Sequence, residues 1–228
     1  PARTACLARQ QTHGRGRRGN SWYSPKDHHL YLSYGDHTEL SLTGLQGLNC
    51  AIAISTCQAI ESVVNLPEVL SIKWPNDIYY QNKKLAGLLL ESEPSKKAST
   101  YVIVGCGINI NANALPELDQ QSATSLNTIV NEHKTAVQID FEELAQHLIH
   151  HWQVCLLEFQ TRGLESFLPR WQQRDLLFQR PIHFRLRNNQ HSGHAQGIDQ
   201  NGHLIVRKNE QVTAYCPDEI SLIRPDHD

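Results

Sequence analysis

Methionine is absent from the sequence, and the first residue is Pro1. Because an intact bacterial or cytosolic translation product begins with Met, we expect the chain to be a cut piece of a longer protein. An excess of charge of one sign is also lacking, since 21 Lys and Arg residues face 23 Asp and Glu residues for a net charge of −2. The global basic field that favours a nucleic-acid partner is therefore excluded.

Long apolar runs are missing as well. The longest, 85–90 and 101–104, fall far below the roughly 20 residues that a membrane-spanning helix needs, and the N-terminus lacks the apolar core of a signal peptide. The six cysteines are widely spaced and form no C-x-x-C pair, which argues against a zinc site or a disulfide scaffold. These absences predict buried reduced thiols in a cytoplasmic protein that has no membrane partner.

The remaining composition is that of a globular protein, with 39% hydrophobic and 19% charged residues. The 228 residues correspond to about one and a half domains of average size. Apolar spacing predicts helices and strands in mixed order through the first three quarters of the chain. The predicted helices are 43–64, 140–159 and 164–171, with Asp140 as the cap of the second, and the predicted strands are 5–8, 69–74, 85–90 and 101–110.

The pattern changes near Arg180 and Pro181, where short alternating runs begin. Asn201 and Gly202 lie between two of these runs, which is a strong signal for a hairpin turn. About five short strands in some fifty residues predict a small barrel. We therefore place a domain boundary at residue 178.

A glycine-rich basic loop occupies residues 11–22, where three glycines alternate with arginines. Glycine lets backbone N–H groups approach an anion closely, and arginine supplies charged bidentate donors for phosphate. The loop fits neither a Walker motif nor a dinucleotide fingerprint. Three interpretations stay open at this point: a phosphate-binding loop of an enzyme, an RGG-like nucleic-acid contact, and a solvated basic loop.

Two further strings carry chemistry in the middle of the chain. Residues 73–77 read Lys-Trp-Pro-Asn-Asp and residues 84–87 read Lys-Leu-Ala-Gly. Proline inside a strand marks a bulge or an edge, where an amide and a carboxylate can face a ligand. Residues 105–109, Gly-Cys-Gly-Ile-Asn, end an apolar strand with small residues that allow close approach of a ligand. An ordinary hairpin with incidental charges and a simple bulge are the alternatives.

Histidine is abundant, and His147 and His151 stand four residues apart on the predicted long helix. That spacing suits a metal ion. The same helix face also carries Gln146 and His150, so a solvated face is the favoured interpretation.

The ordered set of strings resembles the biotin protein ligase family, biotin–[acetyl-CoA-carboxylase] ligase, over nearly the whole chain. The matching segments are 11–19, 73–77, 84–87, 105–109, 197–199 and 219–222. The resemblance implies an α+β fold with a class II synthetase-like mixed sheet and helices at 1–178, followed by an SH3-like β-barrel at 179–228. It also implies a cut within the catalytic domain, because a Ser-Thr-Asn element of the biotin pocket is expected upstream of Pro1.

The activity that the resemblance implies has two steps. Biotin is activated with ATP and Mg²⁺ to biotinyl-5′-AMP, and a lysine of a biotin carboxyl carrier protein then takes the biotinyl group. The implied catalytic residues are Lys84, Arg17 and Asp77. The implied biotin site comprises Gln11, Arg15, Gly16, Arg17, Lys84, Gly87 and Gly107. The implied ATP site comprises Arg17, Arg18, Trp22, Asn76 and Asn109, and no metal site formed by protein ligands is implied.

The sequence differs from the family pattern at two loop positions. Asn20 stands where many members carry Arg, and His13 stands where Ala is usual. A homodimer formed through sheet edges is one expectation of the resemblance, and no DNA-binding domain lies within this chain. A lipoate–protein ligase and a nucleic-acid-binding module are the alternative functions.

Overall fold

The computed structural model describes residues 3–95, 99–111, 123–187 and 189–223, which form two sheets and four α-helices. The strands of the first sheet are β1 (Thr4–Ala8), β2 (His29–Thr38), β3 (Ser71–Lys73), β4 (Asp77–Tyr80), β5 (Lys83–Pro94) and β6 (Thr100–Asn109). Those of the second are β7 (Pro181–Leu186), β8 (Asn189–Ile198), β9 (Leu204–Lys208), β10 (Gln211–Tyr215) and β11 (Ile220–Ile223). The helices are α1 (Leu48–Val64), α2 (Leu126–Glu132), α3 (Phe141–Arg162) and α4 (Leu168–Arg174).

The first sheet has the strand order β1-β2-β6-β5-β4-β3, and each of its ladders is antiparallel. In the part of the chain that the structure describes, parallel pairing occurs only as isolated bridges such as Ile72–Asp175. The mixed sheet implied by the resemblance is thus antiparallel in its ladders. Predicted strand 85–90 lies within β5, and predicted strand 101–110 runs one residue past the end of β6. The two strands pair as a hairpin, and part of their connection, 96–98, lies outside the described residues.

One face of this sheet carries the core. Alternate residues of β2 and β6 turn inward, and Leu30, Leu32, Val104 and Ile108 are all at most 2% exposed. On the other face Gly87 of β5 pairs with Gly107 of β6. Two glycines in register leave a shallow floor on that face, which is where the candidate site lies.

Helix α1 is buried on nearly all sides, with 14 of its 17 residues buried, because it packs against the sheet, α3 and α4. Its start differs from the predicted helix 43–64. Gly47 has φ +82°, so the chain makes a 3-10 turn at Thr43–Leu45 before α1 begins. The predicted cap of α3 is confirmed, since Asp140 Oδ1 accepts from the backbone N–H of Glu142 and of Glu143 at 2.9 and 2.8 Å.

A buried ion pair ties α1 to α4. The Arg174 guanidinium donates to both carboxylate oxygens of Glu61 at 2.7 Å, and it also donates to the backbone oxygen of Leu70 at 3.0 Å. Glu61 accepts in turn from the Leu70 N–H. This closed network satisfies charges that would be costly to bury singly.

The second sheet has the order β10-β9-β8-β7-β11. Among the described residues no ladder joins β10 to β11, so the predicted barrel is found as a five-stranded antiparallel sheet rather than a closed one. The predicted turn at Asn201–Gly202 is confirmed between β8 and β9. The boundary at residue 178 stays a prediction, and β7 begins three residues beyond it; residues 224–228 lie outside the described part.

The two sheets meet at a tight seam. Trp74 Nε1 donates to the Gly202 oxygen at 2.9 Å. Gly202 has φ +76°, and a Cβ there would lie 2.8 Å from Gly47 Cα. Only glycine fits that conformation and that space without strain. The turn between β8 and β9 is therefore fixed against the start of α1.

All six cysteines are free thiols. Four are buried as predicted, but Cys6 is exposed and Cys216 is partly exposed, because they lie on an edge strand and in a turn. Within the described ranges, no helix has the length and apolar character needed to cross a membrane.

Candidate active site

A cleft of about 360 Å³ lies between the glycine-rich loop, strands β5 and β6, and strand β11. It brings together all of the predicted site residues except Asn109. Those in its lining are Gln11, Arg15, Gly16, Arg17, Arg18, Trp22, Asn76, Asp77, Lys84, Gly87 and Gly107. Segments that are far apart in the sequence thus form one concave surface.

The glycine-rich loop is folded as a short hairpin. The Trp22 N–H donates to the Gly14 oxygen at 2.8 Å, and the Gly16 N–H donates to the Asn20 oxygen at 2.7 Å. Arg18 at the tip has φ 57°. These bonds give the loop a defined shape, so the backbone fixes the positions from which its arginine side chains extend.

Each of the three loop arginines has a partner outside the loop. Arg15 lies 3.6 Å from a carboxylate oxygen of Glu91 on β5. Arg17 donates to the Pro217 oxygen at 3.0 Å and to Asp218 at 3.3 Å. Arg18 donates to backbone oxygens of the same turn, those of Pro217 at 3.0 Å and Ile220 at 2.6 Å. The loop therefore lies across the cleft, bound to one sheet on each side.

Burial lowers the pKa of the Arg17 guanidinium from its usual value, with Asp218 opposing that change. A group whose ordinary pKa is above 12 keeps its charge at neutral pH. Arg17 is thus a partly desolvated cation, and such a cation interacts strongly with phosphate oxygens.

Trp22 covers the glycine floor of the cleft. A Cβ at Gly107 would lie 2.5 Å from Trp22 Nε1, so only glycine admits the indole there. The ring also contacts Gly87 and lies under the ammonium of Lys84, whose Nζ is 5.1 Å from the ring centroid. Trp22 Nε1 is buried and has no hydrogen-bond partner among the described residues. The glycines were predicted to allow close approach of a ligand, and in the structure the group that approaches them is this indole.

Lys84 and Asp77 form the charged centre of the cleft. Lys84 Nζ lies 2.8 Å from Asp77 Oδ1, and both side chains are about a quarter exposed. Asp77 opens β4 directly after the Pro75–Asn76 irregularity, and the β4–β5 ladder shifts register between Ile78 and Tyr79. The predicted irregularity is confirmed, and it aims the carboxylate at the lysine of the neighbouring strand.

Two asparagines hold the backbone around this pair. Asn76 Nδ2 donates to the Leu88 oxygen. Asn109 is 5% exposed, and its Nδ2 donates to the backbone oxygens of Lys84 at 3.4 Å and Thr124 at 3.1 Å. Asn109 therefore lies behind Lys84 instead of lining the cleft, because it ends β6 with its amide turned toward the segment before α2.

Sequence reasoning missed several residues of the site. Glu91 and the Pro217–Ile220 turn hold the loop arginines, and Ser24 bonds to Gln11. No spacing signal points to the Arg17–Pro217 contact across 200 residues. For Glu91 a signal exists in the sequence. Side chains two residues apart along a strand lie on the same face, so Glu91 lies on the same face of β5 as Leu89 and Gly87.

The predicted helix histidines form no metal site in the described ranges, where no cluster of three His, Cys, Asp or Glu side chains occurs. His147 Nδ1 lies 3.0 Å from Ser62 Oγ. Burial, together with the neighbouring His150 and His147, lowers the pKa of His151.

Comparison with known proteins agrees with this arrangement. The model of the Biotin/lipoate A/B protein ligase family matches residues 1–109. The biotin–[acetyl-CoA-carboxylase] ligase of Paracoccus denitrificans is 30% identical over 202 residues, covering 88% of this chain and 82% of that protein. The bifunctional ligase/repressor BirA of Escherichia coli is 30% identical over 223 residues, covering 96% of this chain.

This chain spans 66% of the length of that BirA protein. A solved structure of similar fold is the biotin protein ligase from Aquifex aeolicus in complex with biotin and ATP. It has a TM-score of 0.80 at 29% identity, covering 97% of this chain and 89% of that one. The chain accordingly belongs to the biotin protein ligase family.

Proposed function

We propose that this protein activates biotin with ATP and transfers the biotinyl group to a lysine of a biotin carboxyl carrier protein. The observation that carries the proposal is the cleft itself, in which Lys84 and the loop arginines converge over a glycine floor. Two anions must meet in the first step, and converging cations lower the repulsion between them. The named relatives make biotin and ATP the substrates to test first.

In the first step the biotin carboxylate attacks the α-phosphorus of ATP and pyrophosphate leaves. Lys84 binds the attacking carboxylate, which takes the place of Asp77 as the partner of the lysine ammonium. Arg15 and Arg17 lie across the cleft and balance the charge of the phosphates. Their closure over the product, a mixed anhydride, keeps water from its acyl carbon.

Magnesium is expected to enter with ATP. Asp77 and Glu91 are the cleft carboxylates, and their hard oxygens suit an ion that is held mainly by nucleotide phosphates. Bound Mg²⁺ supplies neutralising charge at those phosphates. Each carboxylate already has a cationic partner, so we expect the nucleotide to bring the ion.

In the second step the amine of an acceptor lysine attacks the acyl carbon and AMP leaves. The incoming ammonium must first lose a proton. Asp77 is the carboxylate at the centre of the cleft, and we assign it to orient the ammonium or accept that proton. Trp22 and Asn76 stand on the nucleotide side, and Asn109 supports Lys84 from behind.

The test is biotin-dependent release of pyrophosphate from ATP. Lys84→Ala is expected to lower the rate at least tenfold, and Lys83→Ala, the exposed neighbour on the same strand, is the matched control. Wild-type rates in Lys84→Ala would overturn the central assignment. Two further measurements test the alternatives. If labelled lipoate is not attached to protein, a lipoate–protein ligase is excluded, and if DNA binding shows no steep dependence on salt, a nucleic-acid-binding module is excluded.

We further propose a cytoplasmic location and an assembly through the outer edge of the first sheet, at β1. The six free thiols suit a reducing compartment. Strand β1 is the outer strand of its sheet and is largely exposed, and an outer strand can extend a sheet across two chains. Light scattering of the protein at several concentrations tests the homodimer.

A further inference from the structure

Ser24 is a polar side chain that the proposed mechanism does not use. It is 7% exposed and lies at the base of the glycine-rich hairpin. Its Oγ is 2.9 Å from Gln11 Oε1 and 3.1 Å from the Trp22 oxygen. Both of these are acceptors, so the single hydroxyl proton is directed at the Gln11–Trp22 side.

Gly14 makes this approach possible. A Cβ at position 14 would lie 2.5 Å from the Trp22 oxygen, 2.6 Å from Ser24 Oγ and 3.0 Å from Gln11 Oε1. Any side chain there would push the three groups apart. The hydrogen bond between the serine and the glutamine therefore requires glycine at position 14.

The contact fixes which end of the Gln11 amide is free. An amide oxygen cannot donate, so Ser24 is the donor and Gln11 Oε1 is the acceptor. Gln11 Nε2 has no protein acceptor in the described part of the chain, while Gln11 itself lines the cleft. The free end of the amide is therefore a pair of N–H donors.

We propose that Ser24 is a positioning residue that orients Gln11 so that its amide donates to an oxygen of biotin. This inference rests on the proposed function, since it takes biotin as the occupant of the cleft. Biotin carries a ureido carbonyl and a carboxylate, and either is an acceptor that the Gln11 N–H groups can meet. A glutamine held in one orientation favours ligands with an acceptor at that point, because only they complete the hydrogen bond to its N–H groups.

The experiment is a double-mutant cycle on the KM for biotin, with Ser24→Ala, Gln11→Ala and the double variant. Loss of one oriented hydrogen bond is expected to raise the KM for biotin about fivefold in Ser24→Ala, with the KM for ATP and kcat within about twofold of wild type. In the Gln11→Ala background, Ser24→Ala is expected to change nothing further. Ser41→Ala, which changes an exposed serine outside the lining of the cleft, controls for the loss of a hydroxyl.

Three results would overturn the inference. The first is an equal rise in KM for biotin with and without Gln11, which means that Ser24 acts on its own. The second is a parallel loss in kcat and in the KM for ATP, which means a general structural role. The third is retained biotin affinity in Gln11→Glu, whose side chain offers acceptors in place of the amide donors.

Ser24→Thr keeps the test decisive if Ser24→Ala is too unstable to assay. The threonine variant retains the hydroxyl, so a folded Ser24→Thr protein is expected to keep the wild-type KM for biotin, and a rise equal to that of Ser24→Ala contradicts the proposal. Failure of the proposed function looks different: no biotin-dependent pyrophosphate release in the unmodified protein. Normal turnover with an unchanged KM in Gln11→Ala removes the Ser24 inference alone.

Discussion

The ammonium of Lys84 rests 2.8 Å from the carboxylate of Asp77, with the indole of Trp22 beneath it. The lysine is therefore held in one place before any substrate arrives. An incoming carboxylate has only to take the place of the Asp77 carboxylate, and no conformational entropy of the lysine side chain is lost at that step. This pairing makes the roles of the two residues separable by mutation.

Asp77→Asn tests the separation. Removal of the carboxylate frees Lys84 for biotin, so we expect the KM for biotin to stay the same or fall. The transfer step loses its base, and we expect the rate of biotinyl transfer to a carrier protein to fall at least tenfold. A single-turnover experiment measures pyrophosphate release and carrier labelling separately. Glu93→Gln, which changes an exposed carboxylate of β5, serves as the control, and equal losses in both steps would refute the assignment.

Arg17→Gly tests the closure of the loop. Arg17 is bound to the turn at Pro217 and Asp218, and without it only the bonds of Arg18 hold the loop to the second sheet. We expect free biotinyl-5′-AMP to escape about tenfold faster and to label bystander proteins indiscriminately. Chromatography of the released adenylate and blotting of added albumin provide the measurement. Arg162→Ala, at the exposed end of α3, should leave the adenylate bound; tight retention in Arg17→Gly would contradict the closure.

Arg174→Leu addresses stability instead of chemistry. The change leaves Glu61 as a buried carboxylate with its partner gone. Breaking a buried pair from one side costs about 3–5 kcal/mol, so the free energy of unfolding should fall by that order in urea titrations. The double change Glu61→Leu with Arg174→Leu is expected to recover part of the loss, because no charge then stays buried. A single variant as stable as wild type would disprove the account.

His29 predicts a dependence of stability on pH. It is 1% exposed, its Nδ1 accepts from the Ile110 N–H at 3.1 Å, and burial lowers its pKa to about 4. The unfolded chain binds a proton at this side chain below about pH 6.5, whereas the folded chain does not until about pH 4. The free energy of unfolding should therefore fall as the pH drops from about 6.5 to about 4, by up to about 3 kcal/mol.

Urea titrations between pH 4 and pH 7.5 measure that slope. His29→Gln keeps an acceptor for the Ile110 N–H and removes the titrating group, so its slope should be flatter. His13→Gln, which changes an exposed histidine, should keep the wild-type slope. An unchanged slope in His29→Gln would assign the effect to other groups.

Much of the site could be predicted from the sequence because its residues lie in short, spaced strings. Lys84 and Asp77 lie in two such strings, the resemblance implies a role for each, and the structure places them together. The position of Asn109 could not be predicted, since a strand pattern does not reveal which side a terminal residue faces. The Arg17–Pro217 contact depends on how two sheets pack, about which local patterns carry no information.

The fold was predictable to a similar degree. The long helix α3 and the β5–β6 hairpin have clear periods, and the structure confirms both. Strand β2 was missed because it is buried on both faces along most of its length, which removes the alternation that marks a half-buried strand. Helix α2 was missed because seven residues are too few for a helical period to stand out.

The bond from Trp74 to Gly202 has a consequence for any attempt to divide the chain. Trp74 lies three residues before Asp77, in the connection between β3 and β4, so the segment that leads into the strand of the carboxylate is bound to the second sheet. Truncation after residue 178 would deprive the indole N–H of its acceptor and would remove the turn that holds Arg17 and Arg18. The second sheet therefore forms one side of the cleft, and its removal should open the cleft before it unfolds the first sheet.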